Sequence, residues 1–151
     1  MKQARRVVVT GLGLVCPVGN STEQGWRNIL AGKSGISTLT HFDTEDYPCK
    51  FGGVIRDFDV DAYFTPKEAR KVDPFIHYAV AATEEAIAQS GLDLESADAT
   101  RIGVGLGSGI GGIGTISETV VSLHESGKPR RVSPFFIPVS YTHLTLPTIS
   151  S

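Results

Sequence analysis

Cysteine and histidine are scarce in this sequence, and neither forms a motif. Cys16 and Cys49 lie far apart and outside any C-x-x-C pattern, so neither a disulfide framework nor a zinc site is predicted. The four histidines show no H-x-x-x-H spacing, so no other metal site is predicted. Each cysteine is predicted to lie in a loop or irregular stretch, which is not the setting of a reactive thiolate. A reducing cytoplasm is the expected compartment.

Long apolar runs and a dominant charge are absent too. No stretch approaches the roughly 20 apolar residues that a membrane helix needs, so no membrane partner is predicted. The apolar run at 7–9 is broken by Thr10 and Gly11, and no cleavage motif follows it, so secretion is not predicted. With 14 basic and 16 acidic residues the formal net charge is −2, which does not favour nucleic acid as a partner.

Short apolar segments alternate with helical patterns along the chain. The β-branched and glycine-flanked runs predict three extended segments, namely Arg5 to Thr10, Phe51 to Ile55 and Arg101 to Gly107. Caps and apolar periodicity predict four helices, which run from Ser21 to Gly32, from Thr65, from Asp73-Pro74 to Ser90-Gly91, and from about Ile113 to Ser126. The residues expected to face inward are Ile76, Ala79, Ala82, Ala86 and Ile87 in the third helix and Ile116, Val120 and Leu123 in the fourth. This alternation predicts a layered α/β fold with a largely parallel sheet.

Two glycine motifs resemble phosphate-binding loops. Gly32-Lys33-Ser34 ends like a P-loop, but it follows a helix, where carbonyls rather than amides point outward, and this position favours a helix C-cap. Gly107-x-Gly109-x-x-Gly112 has dinucleotide-motif spacing, but no acidic residue closes a second strand about 20 residues later. A dinucleotide-binding domain therefore stays a minor alternative.

Basic residues concentrate at two places. Lys67, Arg70 and Lys71 are spaced i, i+3, i+4, which puts them on one helix face. A second group, Lys128, Arg130 and Arg131, follows the last predicted helix. Both groups could steer an acidic partner, although spacing alone is more typical of a solvated charged face.

Several short motifs together resemble one family. The ordered set is RRVVVTGLG at 5–13, PVGN at 17–20, AGKSGI at 31–36, HFD at 41–43, RKVDPF at 70–75, GSGIGG at 107–112 and SPFFIP at 133–138. In this order and spacing they resemble the N-terminal part of type II 3-oxoacyl-(acyl carrier protein) synthases, the β-ketoacyl synthases of bacterial fatty acid synthesis.

The resemblance implies an α/β thiolase-like fold, a layered αβαβα sandwich, with only the N-terminal part of its first half in this chain. It implies a homodimer, no cofactor, and decarboxylative condensation of an acyl thioester with malonyl carrier protein. In that family a cysteine at a buried helix N-terminus carries the acyl group and two histidines assist decarboxylation. These catalytic residues lie beyond the matching segment, so the chain alone is expected to be inactive.

The resemblance also assigns site residues. Ile110 matches a gate of the acyl pocket, and Phe136 and Ile137 match residues that close the partner subunit's pocket in the family dimer. The basic positions that match contacts with acyl carrier protein are Lys67, Arg70, Lys71, Arg130 and Arg131. Residues 1–138 are expected to form the synthase part, and 139–151 an unrelated tail arising from truncation or misassembly of the reading frame. The alternative function is a non-catalytic module that binds acyl carrier protein.

Overall fold

The computed structural model describes residues 6–133 and 136. The chain divides into two compact units, of which one comprises Met1–Phe58 with Ala81–Asp93 and the other Asp59–Val80 with Leu94–Ser151. The elements in chain order are α1 Thr22–Leu30, β1 Ile36–Thr38, β2 Phe51–Gly53, α2 Pro66–Ala69, α3 Pro74–Ser90 and α4 Ile113–Ser126, with 3₁₀ turns at Ala99–Arg101 and Pro129–Arg131. The first part of α3 belongs to the second unit and the rest to the first.

Helix α1 begins and ends where its local sequence predicts. The hydroxyl of Ser21 accepts a hydrogen bond from the Gln24 N–H at 3.2 Å, which satisfies one of the free amides of the first turn. At the other end Gly32 has a φ of 66°, and the Lys33 N–H donates to the Asn28 carbonyl at 2.9 Å. Gly32-Lys33-Ser34 is therefore a helix C-terminus, as predicted, and not a phosphate loop.

The loop before α1 packs against the C-terminal part of α3. A Cβ on Gly13 would overlap the backbone of Ala82, and one on Gly11 would overlap that of Ala86, so both glycines permit close approach of two backbones. The side chain of Glu85 then accepts hydrogen bonds from the Leu14 N–H at 2.9 Å and from the Thr22 N–H at 2.7 Å. Ala82 and Ala86, two residues of α3 that were predicted to face inward, thus lie against this loop.

The second unit has a small apolar core. Ile76 and Val80 of α3 are each 6% exposed, and they pack with the partly buried Phe64, Val72 and Phe75. Ile76 belongs to the predicted inner stripe, whereas Val80 does not. Helix α3 ends at Ser90, and Gly91 follows with a φ of 68°, so the predicted end of this helix is confirmed.

The predicted parallel sheet is wrong for the described residues. Their only sheet is the antiparallel pair β1 and β2, in which Ile36 is opposite Gly53 and Thr38 is opposite Phe51. The predicted strands are not formed over residues 6–10 and 101–107, because a strand requires a neighbour for its backbone groups and no described segment pairs with these runs. Val7 is accordingly 91% exposed and Val104 is 49% exposed.

Helix α4 forms over the predicted residues, but two of its three predicted inward residues, Val120 and Leu123, are exposed. Val120 is 57% exposed and Leu123 is 37% exposed, while Ile116 is half-buried. The apolar period correctly predicted the helix, whereas burial depends on an element that covers this face, and the described part of the second unit does not supply one. Within the described residues, no helix combines the length and apolar character required to cross a membrane.

Candidate functional site

The first basic group lies on and directly after α2. Lys67 is in the helix, Arg70 is its C-cap with φ −73° and ψ −10°, and Lys71 follows. All three side chains are exposed, as a docking face requires. The structure thus places these predicted site residues together on one short element of the second unit.

A capping box holds α2 in place between these cations. The Glu68 carboxylate accepts hydrogen bonds from the Thr65 N–H at 3.0 Å and from the Thr65 hydroxyl at 2.5 Å, and the Glu68 N–H donates back to that hydroxyl at 3.3 Å. The hydroxyl bond, followed by the backbone bond and the nearby Lys71 ammonium, lowers the pKa of Glu68. Glu68 is therefore held ionised, so it offsets part of the positive charge of the face around it.

The second basic group follows α4. Gly127 ends that helix with a φ of 59°, and its N–H donates to the Leu123 carbonyl at 2.9 Å. The 3₁₀ turn Pro129–Arg131 comes next, with Lys128 and Arg130 exposed. The side chain of Arg131 lies outside the described part of the structure.

The predicted acyl-pocket residues are only partly described. Ile110 is 65% exposed on a turn in which the Gly111 N–H donates to the Ser108 hydroxyl at 2.9 Å. Phe136 is half-buried, and its N–H donates to the Ser133 carbonyl at 3.0 Å. Ile137 lies outside the described residues. A cavity of about 180 Å³ is lined by residues other than these three, namely Glu118, Thr119, Ser122, Leu123, Val132 and Ser133.

A buried carboxylate beside α4 was missed by the sequence analysis. Asp73 is 8% exposed, and its Oδ1 accepts a hydrogen bond from the Thr115 hydroxyl at 2.7 Å. Its Oδ2 is buried without a hydrogen-bond partner, and a Cβ on Gly112 would overlap this carboxylate. The sequence feature that could have indicated a carboxylate here is the glycine at the predicted start of α4, because Gly112 cannot cap the helix with a side chain. A negative group at this helix N-terminus disfavours the phosphate that the dinucleotide alternative would place there.

Neither thiol lies at a helix N-terminus. Cys16 is half-buried in a backbone bridge with Gly19, with N–H to carbonyl distances of 2.9 and 3.0 Å, and Cys49 is exposed. Over residues 6–133 and 136, no three His, Cys, Asp or Glu side chains are grouped so that they could hold a metal ion.

Comparison with known proteins gives a family match over nearly the whole chain. Residues 4–148 match the model of the β-ketoacyl synthase N-terminal domain. The 3-oxoacyl-[acyl-carrier-protein] synthase 2 of Vibrio cholerae is 46% identical over 146 residues, which are 97% of this chain and 35% of that protein. The chain thus spans about a third of the length of this curated relative.

Solved structures show a similar fold. A β-ketoacyl synthase from Burkholderia phymatum has a TM-score of 0.75 at 24% identity and covers 97% of this chain and 36% of its own. A ketosynthase in complex with its type II PKS acyl-carrier protein has a TM-score of 0.70 at 26% identity, and the match covers 91% of this chain and 35% of the ketosynthase chain. The predicted thiolase-like α/β class is therefore confirmed, and the chain belongs to the β-ketoacyl synthase family, of which it carries the N-terminal domain.

Proposed function

We propose that this chain supplies the N-terminal part of a β-ketoacyl-(acyl carrier protein) synthase, a cytoplasmic acyltransferase of fatty acid biosynthesis. The reaction would be the decarboxylative condensation of an acyl thioester with malonyl carrier protein, without a cofactor. The observation that carries this proposal is the 46% identity to a 3-oxoacyl-[acyl-carrier-protein] synthase 2 over 97% of the chain. Homodimerisation of the full-length synthase belongs to the same proposal, and the mass of that full-length protein in solution tests it.

The chain alone is proposed to be inactive in condensation. A nucleophilic thiolate needs a helix N-terminus or a cationic neighbour, and Cys16 lies in a loop bridge before α1. We expect no condensation product from acyl and malonyl carrier protein. A product that disappears in the Cys16→Ala/Cys49→Ala double variant would contradict this proposal.

Ile110, Phe136 and Ile137 are proposed to line the acyl pocket. The exposure of Ile110 leaves its side chain accessible to an acyl chain.

The synthase part is proposed to comprise residues 1–138, with 139–151 outside it. Deleting 139–151 should leave the helical circular dichroism of the remaining residues unchanged, and a loss of helix would contradict this boundary.

Lys67, Arg70, Lys71, Arg130 and Arg131 are proposed to bind acyl carrier protein. Exposed ion pairs contribute about 0.2–1 kcal/mol each, so reversing one charge should weaken binding by about two- to fivefold. The variants are Lys67→Glu, Arg70→Glu and Lys71→Glu, measured by titration of acyl carrier protein at low and high salt.

Lys33 provides the matched control for these charge reversals. It is also exposed, but it follows α1 in the first unit. Lys33→Glu makes the same change in net charge, so it should leave the affinity within about twofold if binding uses the proposed face. An equal loss from Lys33→Glu would show that only net charge matters.

A non-catalytic module that binds acyl carrier protein is the second candidate. The exposed basic side chains on and directly after α2 favour a binding module as much as a synthase, because docking of acyl carrier protein requires no nucleophile. The two candidates differ when the remaining two thirds of a synthase chain are supplied. A synthase part would then support condensation, whereas a binding module would bind carrier protein and remain inactive.

A further inference from the structure

The N-terminus of α4 lacks a side-chain cap from its own sequence. Gly112 is the N-cap residue and makes no side-chain hydrogen bond. The Ile116 N–H donates to the Gly112 carbonyl at 3.0 Å, which begins the helical pattern. The amides before it lie at the positive end of a 14-residue helix, where a negative charge is stabilising.

Asp73 places its carboxylate at this helix end from a distant part of the chain. Its residue number differs from that of Thr115 by 42, yet the Thr115 hydroxyl donates to Asp73 Oδ1 at 2.7 Å. Asp73 is only 8% exposed and its Oδ2 is buried, so the carboxylate cannot exchange this contact freely for water. The Asp73 carbonyl accepts from the Ile76 N–H at 2.9 Å, so the same residue also begins α3.

The approach of Asp73 to Gly112 leaves no room for a side chain. A Cβ on Gly112 would overlap the carboxylate, whereas one on Gly114 would meet no atom within 4 Å. Gly112 has a φ of −80°, which any residue can adopt, so backbone conformation does not require glycine there. The requirement for glycine at this position therefore comes from Asp73.

We propose that Asp73 is a positioning residue that fixes the start of α4 and thereby the turn that carries Ile110. Ile110 is two residues before Gly112, so a shift of the helix start displaces it directly. The inference rests on the proposed function in one respect, namely that Ile110 lines the acyl pocket. The Thr115 hydroxyl and the absence of a side chain at Gly112 are the two parts of this anchor.

The hydroxyl contact is tested by a matched pair of substitutions. Thr115→Val removes the hydroxyl at constant shape, and Thr115→Ser retains it. We expect hydrogen exchange of the Ile116 amide and of residues 108–112 to increase about tenfold in the valine variant and to stay within about twofold in the serine variant. The Leu14 amide, which donates to Glu85 within the first unit, is the control, and its exchange should not change. Equal exchange in the two variants would overturn the inference.

The steric contact is tested by a double-variant cycle. Gly112→Ala should increase exchange at residues 108–116, whereas Gly114→Ala should have a much smaller effect because its surroundings are open. In an Asp73→Ala background the carboxylate is gone, so Gly112→Ala should add little. An effect of Gly112→Ala that is the same with and without Asp73 would overturn the inference.

A separate probe distinguishes this inference from the proposed function. A photoreactive dodecanoyl-pantetheine should label residues 108–113 in the parent chain and in Thr115→Ser, and several-fold less in Thr115→Val. No labelling of this segment in the parent would refute Ile110 as a pocket residue, and with it the acyl-pocket role of the anchor. Equal labelling in all three chains would refute the positioning role alone.

Discussion

Gly13 shows how one residue can be required by a contact with a helix backbone. Its Cβ position coincides with the Ala82 backbone, so Gly13→Ala must displace the loop from α3. We expect a loss of about 1–3 kcal/mol in the free energy of unfolding, in the range of overpacked cores. This loss is measured from the hydrogen exchange of the Leu14 amide under native conditions.

Gly105 is the control for Gly13, because a Cβ there would have no neighbour within 4 Å. Gly105→Ala should change the free energy of unfolding by no more than about 0.5 kcal/mol. Equal losses for the two alanine variants would show that chain flexibility, rather than contact with α3, determines the effect.

The stability of helix α2 should depend on pH through the ionisation of Glu68. Because the pKa of Glu68 is lowered in the folded chain, its stabilisation is complete above the ordinary pKa of an unfolded glutamate. This stabilisation is lost as the pH falls through the lowered folded value. A ¹³C titration of the Glu68 carboxyl should show a midpoint below the ordinary value. Thr65→Val should raise this midpoint and Thr65→Ser should not, since the hydroxyl bond is the main cause; a midpoint unaffected by Thr65→Val would contradict this.

Helix α3 holds the loop before α1 through Glu85. Glu85→Ala removes the acceptor of the Leu14 and Thr22 amides, and partly buried amides without a partner are costly. We expect a loss of about 2–3 kcal/mol in the free energy of unfolding, measured by urea titration. Glu84 is adjacent and exposed, so Glu84→Ala should change it by no more than about 0.5 kcal/mol. Similar losses in both variants would argue against the loop contact.

The molecule as a whole exposes much of its apolar surface. Among the described residues only Ile76, Val80 and Ala81 are buried hydrophobics, whereas Val120 and Val121 of α4 are both more than half exposed. Exposed apolar faces promote association, so we expect the chain to bind an apolar dye such as ANS and to self-associate with rising concentration.

Val120 tests whether the exposed face of α4 drives this association. Burying a valine contributes about 1.5 kcal/mol, so Val120→Lys should raise the dissociation constant of self-association about tenfold, as measured by sedimentation. Ser122→Lys adds the same charge at an exposed polar position of α4, and because Ser122 lies two residues after Val120, on the opposite side of the helix, it should have little effect. The prediction fails if both lysine variants dissociate equally.

Local features of the site were predictable, and distant contacts were not. Thr65 and Glu68 are three residues apart, so their capping box and the exposed cations around it follow from one helical turn. The anchor at α4 joins Asp73 to Thr115, and no local pattern indicates that pairing. The extended runs at 5–10 and 101–107 were predicted as strands from β propensity, which reports fit to a sheet rather than the presence of a neighbouring strand.

The amino-acid sequence alone determined where helices begin and end, because caps and left-handed glycines act within four residues of the helix terminus. The ordered motifs also determined the family. Only the tertiary structure decided which runs pair as strands, that Val120 and Leu123 of α4 are exposed, and which carboxylate lies at the N-terminus of this helix. Pairing and burial require a second segment brought close by folding, and a local sequence pattern does not specify that segment.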